Sequence, residues 1–211
     1  MRQVKSKSTR RPYHHGDLKN ALLDTALKQI AEHGAQTLSL REVARAAGVT
    51  HGAAYRHFRN KESLLACIAE QGFRQLSAAM RAAAQAAAPD SLDMLRATGM
   101  GYLDFATSHA SHLQVMFGGL IKSHEPYPGL REAAQAAYED LLGAVRRGIQ
   151  SGRLAAPSEQ VAAVAAWSLV HGLALLAASG QLRMPDGSGV DQRLLAQAVL
   201  LLQQRGYEAP G

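Results

Sequence analysis

The sequence predicts an all-α protein of about nine helices, and three observations carry that expectation. Apolar residues recur at helical and not alternating spacing, glycine and proline fall at intervals that divide the chain into helix-length pieces, and alanine runs at Ala82–Ala84 and Ala86–Ala88 favour helix. With 211 residues, 47% hydrophobic and 19% charged, the chain is long enough to bury a core and too apolar to be disordered throughout. Cys67 is the only cysteine, which excludes an intramolecular disulfide and a cysteine-rich metal site.

The elements follow in order. A first helix is expected from Asp17 to His33, with Leu18, Leu22, Ala26 and Ile30 on one face and Gly34 as a left-handed terminator. Ser39-Leu40-Arg41-Glu42 reads as a capping box opening a second helix, in which the Ser39 hydroxyl and the Glu42 carboxylate each take the other residue's amide. Ala46-Ala47-Gly48-Val49 breaks it, and Thr50 caps a short third helix through His57 or Phe58. Asn60 caps a fourth, from Lys61 towards Pro89. Further helices are expected over Ser91 to His109 and His112 to Leu120, then a loop from Lys122 to Gly129 imposed by Pro126, Pro128 and Gly129. Leu130 to about Gln150 is amphipathic. Pro157 suits the first turn of a long apolar helix stopped by Gly180, Met184–Gly189 is a turn, and Val190 to Gln204 forms the last helix.

The net charge is +6, but residues 1–61 hold 12 Lys/Arg against four acids, +8, while residues 62–211 hold 11 against 13, −2. Such an asymmetry marks a module that faces a polyanion, joined to a body that need not. Gln160 to Leu182 contains no Asp, Glu, Lys or Arg. Much of its length is alanine, and Ser168, His171 and Gly172 add cost in lipid, so the segment is expected to be buried all round or packed on another subunit, with no membrane involved. The basic start runs into the polar Gly16-Asp-Leu-Lys-Asn20 and not into an apolar signal, so a cytoplasmic protein is expected.

Two short helices joined by a glycine turn, within the basic third, have the spacing of a helix-turn-helix. His51, Tyr55, Arg56 and His57 crowd the second of them. Thr37-Leu-Ser-Leu-Arg-Glu-Val-Ala-Arg-Ala-Ala-Gly-Val-Thr50, followed by Gly52-Ala-Ala-Tyr-Arg-His-Phe-Arg-Asn-Lys-Glu-Ser-Leu-Leu65, resembles the TetR/AcrR family of bacterial transcriptional regulators. Arg56 stands where family members usually carry an aromatic, and Ala54 where they carry a bulkier residue. A weaker likeness, Trp167-Ser-Leu-Val-His-Gly172 with the lead-in Tyr13-His-His-Gly-Asp-Leu18, is similar to the branch with a WHG-type C-terminal domain.

The resemblance implies a one-component regulator, a repressor and not an enzyme, that binds palindromic double-stranded operator DNA as a homodimer and is released by a small-molecule effector. The domains expected are a basic disordered arm over 1–16, a DNA-binding helix-turn-helix over 17–60, and a ligand-binding and dimerisation domain over 61–211. Lys5, Lys7, Arg10, Arg11, Arg41 and Lys61 can add affinity by displacing counterions from phosphates without reading sequence. Arg41, Thr50, His51, Gly52, Ala53, Tyr55, Arg56, His57 and Lys61 are the expected DNA-binding set, with base reading assigned to His51 and Tyr55 at i,i+4. Phe105, His109, Met116, Phe117, Trp167 and His171 are the expected ligand contacts, and the scarcity of charge among them favours an apolar effector. Helix 4, Lys61 to about Ala88, is the expected lever between ligand and DNA, and the last two long helices, with Leu173 and Val199, the expected subunit interface.

Nine histidines raise one alternative, an all-helical metal-binding protein or metalloenzyme using His109, His112, His124 or His171. No HExxH run accompanies them, so no cofactor is expected. A GxSxG elbow and a glycine-rich phosphate loop are also missing, and Gly99-Met-Gly101 lies inside a helical pattern.

Overall fold

A computed structural model describes residues 15–87, 91–182 and 191–207 of the chain. Lys5, Lys7, Arg10 and Arg11 of the arm, Pro89 and the Met184–Gly189 turn lie outside them. The described residues form nine helices, and the chain divides into two compact units that meet in sequence at Leu64/Leu65.

In the first unit, α1 (His15–His33) begins two residues before the expected Asp17 and is ended by Gly34 at φ 81°, the left-handed conformation that glycine adopts without a Cβ penalty. Leu22, Leu23, Ala26 and Ile30 of α1 are buried, as are Leu40, Val43 and Ala44 of α2 (Leu40–Ala46) and Ala54 of α3 (His51–His57). The capping box expected at Ser39 does not form. Ser39 sits at the N-cap and its carbonyl accepts from the Val43 amide at 2.9 Å, but its side chain makes no cap bond. A reciprocal box forms instead at the start of the fourth helix. Asn60 Oδ1 accepts from the Ser63 amide at 2.8 Å while Ser63 Oγ accepts from the Asn60 amide at 3.2 Å, so a serine plays the part usually given to Glu at the third helical position.

The remaining helices are α4 (Lys61–Ala86), α5 (Ser91–Ser108), α6 (Ala110–Phe117), α7 (Pro128–Gln150), α8 (Glu159–Ala178) and α9 (Gln192–Tyr207). In the second unit α5 packs on α7, α8 and α9, and Leu92, Leu142, Val145, Leu154, Ala162 and Ala163 make one buried cluster. Gly101 of α5 faces the α4 backbone so closely that a Cβ there would lie 2.7 Å from the Ala79 carbonyl oxygen and 2.9 Å from Met80 Cα. Gly101 therefore serves a helix crossing and not a phosphate loop.

Three boundaries differ from expectation for local reasons. Pro128 is not in the loop but at the first turn of α7, where its missing amide is no loss. Pro157 lies before α8, whose cap is Ser158, with Oγ accepting from the Val161 amide at 3.2 Å. The helix expected from His112 begins at Ala110, with His109 as its N-cap where the chain bends.

Helix α8 is long and apolar enough to cross a membrane by length and composition, yet it is not buried all round. Ala162, Ala163, Ala166, Val170, Leu173 and Ala174 point inward, while Val161, Val164, Leu175 and Leu176 are exposed. Helix α9 repeats the pattern. Ala196 and Leu200 are buried, whereas Leu194 is 62% and Leu202 71% exposed. Leu173, expected at the outer face, is only 8% exposed and belongs to the subunit's own core. The helical period places Leu175 and Leu176 outward instead.

Candidate nucleic-acid interface and ligand cavity

The turn between α2 and α3 is built by backbone bonds. Gly48 at φ 68° lets its amide donate to Arg45 O at 3.2 Å and the Val49 amide donate to Ala44 O at 3.0 Å, closing the end of α2 in the manner of a glycine-terminated helix. Thr50 then caps α3, its Oγ1 accepting from the Ala53 amide at 3.3 Å. The tightness of this turn fixes which side chains α3 presents.

His51, Gly52, Tyr55 and Arg56 are exposed, and the His51 and Tyr55 rings lie 4.3 Å apart, as expected for i,i+4 neighbours. Gly52 has open space where a Cβ would be, so the helix backbone is bare beside them. Ala53 does not join this surface. It is buried with Ala54 on the inner face of α3, and His57 is half-buried. Arg41 and Thr50 are exposed. Arg45, outside the expected set, lies with Arg41, Glu42 and His51 along one groove between α2 and the start of α3. The i,i+4 spacing from Arg41 is the sequence signal that marks it. Lys61 is also placed unexpectedly, because its ammonium donates to the Gln36 carbonyl at 2.6 Å. An ammonium has three donors, so two are left for other partners.

In the second unit a cavity of about 330 Å³ is lined by residues of α4, α5, α6, α7 and α8 together with His124. Met116, Phe117 and Trp167 of the expected ligand set line it. Phe73, Leu76, Met80, Tyr102, Tyr138 and Leu141 also line it, and among the described residues no Asp, Glu, Lys or Arg does. Phe105, His109 and His171 do not. Phe105 is buried with the His109 ring stacked on it at 4.9 Å, and His171 stands behind Tyr102. Helical periodicity marks all three as inward but does not tell core from cavity wall.

Tyr102 is the centre of a polar relay. Its hydroxyl is 2.7 Å from His171 Nδ1, and the Trp167 side chain lies beside it. Which of Tyr102 and His171 donates follows from the tautomer of the imidazole. Burial pushes the Tyr102 phenol up and the His171 imidazole down, so both are neutral near pH 7. Among the described residues no three of His, Cys, Asp or Glu gather to hold a metal ion. His109 and His112 are ring neighbours at 5.7 Å, and no third such ligand joins them there.

His112 and His171 both titrate below the usual 6.5, through burial and, for His112, also through the charge of His109. The unfolded chain thus binds protons more readily than the folded one as pH falls towards and below 6.5. Stability from these groups is whole above that pH and declines as pH falls through the folded values. Thermal melts between pH 8 and 5 should show Tm falling on the acid side, and His112→Phe should flatten the fall. A Tm that does not change across this range would contradict the burial argument.

Comparison with known proteins places this geometry among relatives. Residues 22–68 match the model described as bacterial regulatory proteins, tetR family, and residues 95–200 match that of a tetracyclin repressor-like C-terminal domain. A 49-residue stretch is 47% identical to the HTH-type transcriptional regulator AcrR of Shigella flexneri, covering 23% of each chain, so the likeness to this curated relative spans less than a quarter of its length. A protein of unknown function from Rhodococcus sp. RHA1 is similar over 95% of this chain and 100% of its own, at 32% identity and a TM-score of 0.80. The TetR family transcriptional regulator PfmR from Thermus thermophilus shares the fold at 24% identity and a TM-score of 0.69, over 89% of this chain and 99% of its own.

Proposed function

The chain belongs to the TetR family of bacterial regulatory proteins, and we propose that it acts as a cytoplasmic one-component repressor that binds palindromic operator DNA as a homodimer and is released by a small, mostly apolar ligand. The observation that carries the reading is the exposed start of α3, with His51, Gly52 and Tyr55 side by side and Arg41 and Arg45 flanking them. A short helix of this size reads too few base pairs alone, so two copies on a two-fold axis and an inverted repeat are the natural complement. The apolar faces of α8 and α9 are our choice for that axis.

Release requires the ligand to favour one arrangement of the subunits over another. The route proposed is α4, unbroken from Lys61 to Ala86. Its Phe73, Leu76 and Met80 line the 330 Å³ cavity.

Selection of binding sites from random DNA tests the reading, and recovery of an inverted repeat is expected. No such repeat would overturn it. Lys61→Ala is expected to weaken all sequences alike and to flatten the salt dependence by about 0.9 for each phosphate no longer neutralised, whereas His51→Ala shifts base preference. The Gln36 carbonyl that Lys61 holds is released in the same variant, so a stability measurement alongside separates the two effects.

A further inference from the structure

Beside the large cavity lies a second, much smaller chamber of about 40 Å³, and Met80, Tyr102, Leu141 and Trp167 line both. The small chamber differs in chemistry. Arg96 and Gln204 line it, and Arg96 Nε and Gln204 Oε1 are each buried with no hydrogen-bond partner. A buried polar atom without a partner costs about 1–3 kcal/mol. A donor and an acceptor orphaned at one void therefore call for an occupant that bonds to both.

That occupant must accept from the Arg96 Nε–H and donate to Gln204 Oε1. A hydroxyl does both at once, and a chamber of this size holds a group about as large as one water. Charge narrows the choice. The Arg96 guanidinium is already paired with Asp93 through its Nη2 at 2.8 Å, so the chamber offers a directed N–H without an unanswered positive charge. A carboxylate would meet the Gln204 carbonyl oxygen and gain no counter-ion.

We propose that the small chamber receives a hydroxyl of the effector while its apolar body fills the large cavity, which makes the effector class an uncharged, ring-bearing alcohol or phenol. The inference rests on the effector reading of the large cavity. Phe73, Phe117, Tyr138 and Trp167 supply ring faces and edges for the body, and no ionised side chain among the described residues lines that part. We place the passage between chamber and cavity at Met80 and Leu141, which line both. Tyr102 is held by His171, whereas the unbranched Met80 side chain can turn without breaking a hydrogen bond. A chamber of this size also fits one water, whose two bonds a hydroxyl of the effector would take over.

Equilibrium dialysis of the full chain with 2-naphthol, naphthalene and 2-naphthoate tests this. The expected order has 2-naphthol about tenfold tighter than naphthalene, the worth of one to two net hydrogen bonds, and 2-naphthoate weakest. In Gln204→Leu, which leaves the Arg96–Asp93 pair in place, the preference for 2-naphthol over naphthalene should shrink to within about twofold. Arg96→Met should do the same, with circular dichroism confirming that both variants fold. Equal binding of 2-naphthol and naphthalene, or a preference that survives both substitutions, would mean that the chamber holds water alone and the inference is wrong. Tightest binding by 2-naphthoate would overturn the uncharged class. Binding of none of the three would remove the large cavity as an effector site, and the chamber's role with it.

Discussion

Leu202→Asp is expected to leave the subunit folded but monomeric, with operator affinity at least about a hundredfold lower, because the second half-site is then no longer engaged through the first. The magnitude follows from the place of the residue. Leu202 is 71% exposed, so an aspartate there costs the isolated subunit little, yet it belongs with Leu194, Leu201, Leu175 and Leu176 to the apolar surface a partner would cover. Like charges brought face to face across a two-fold axis then oppose assembly directly. Leu173→Asp makes an informative contrast. It buries a charge in the subunit's own core and is expected to yield misfolded protein instead of soluble monomer. Sedimentation that shows an intact dimer for Leu202→Asp would remove α8 and α9 as the interface.

The second large effect is expected inside the bundle. Gly101→Ala places a methyl against the backbone of α4 at Ala79 and Met80, and backbone cannot swing aside as a side chain can. The two helices must part, at a cost of about 2–3 kcal/mol, which in a chain of this length lowers Tm by on the order of 5–10 °C. Gly143→Ala in α7 is the matched control, since a Cβ there meets only Arg147 Nη1 at 3.7 Å. That substitution should raise stability by up to about 1 kcal/mol through helix propensity alone. Equal melting temperatures for the two variants would show that the α4–α5 packing is more yielding than its geometry implies.

Much of the fold is legible in the sequence because its signals are local. Gly34, Gly48 and Gly180 all adopt the left-handed conformation that suits a residue closing a helix, and Thr50 caps α3 as its side chain requires. Sequence and structure part where two local motifs compete. Ser39 and Asn60 both precede helices, yet Asn60 forms the reciprocal box and Ser39 does not, and nothing in Ser39-Leu-Arg-Glu42 forbids the one that is missing. Exposure along α3 is largely readable because residues on the outer face of a two-turn helix must be exposed if Ala53 and Ala54 are buried. The cavity is harder. Its wall is made where five helices meet, so Phe73, Leu76 and Tyr138 carry no mark in sequence that separates them from core residues such as Phe105. The small chamber is invisible for the same reason, since Arg96 and Gln204 are 108 positions apart (204 − 96) and only packing brings them to one void.

The described lining of the large cavity holds no Asp, Glu, Lys or Arg, and a guest is drawn into it by the same removal of apolar surface from water that draws a solute into lipid. At about 25 cal/mol per Å² in either setting, the cell's bilayers and the protein compete for each guest molecule on nearly equal terms. On the proposed effector reading, the dose needed to vacate an operator would depend on the ratio of these two partition equilibria. On that reading, a more lipophilic homologue that still fits the 330 Å³ cavity would bind the protein more tightly but also be withheld more completely by membranes, so potency would level off along a series in which affinity is still rising. Only a contact that hydrocarbon cannot imitate, a directed hydrogen bond, moves that ratio in the protein's favour.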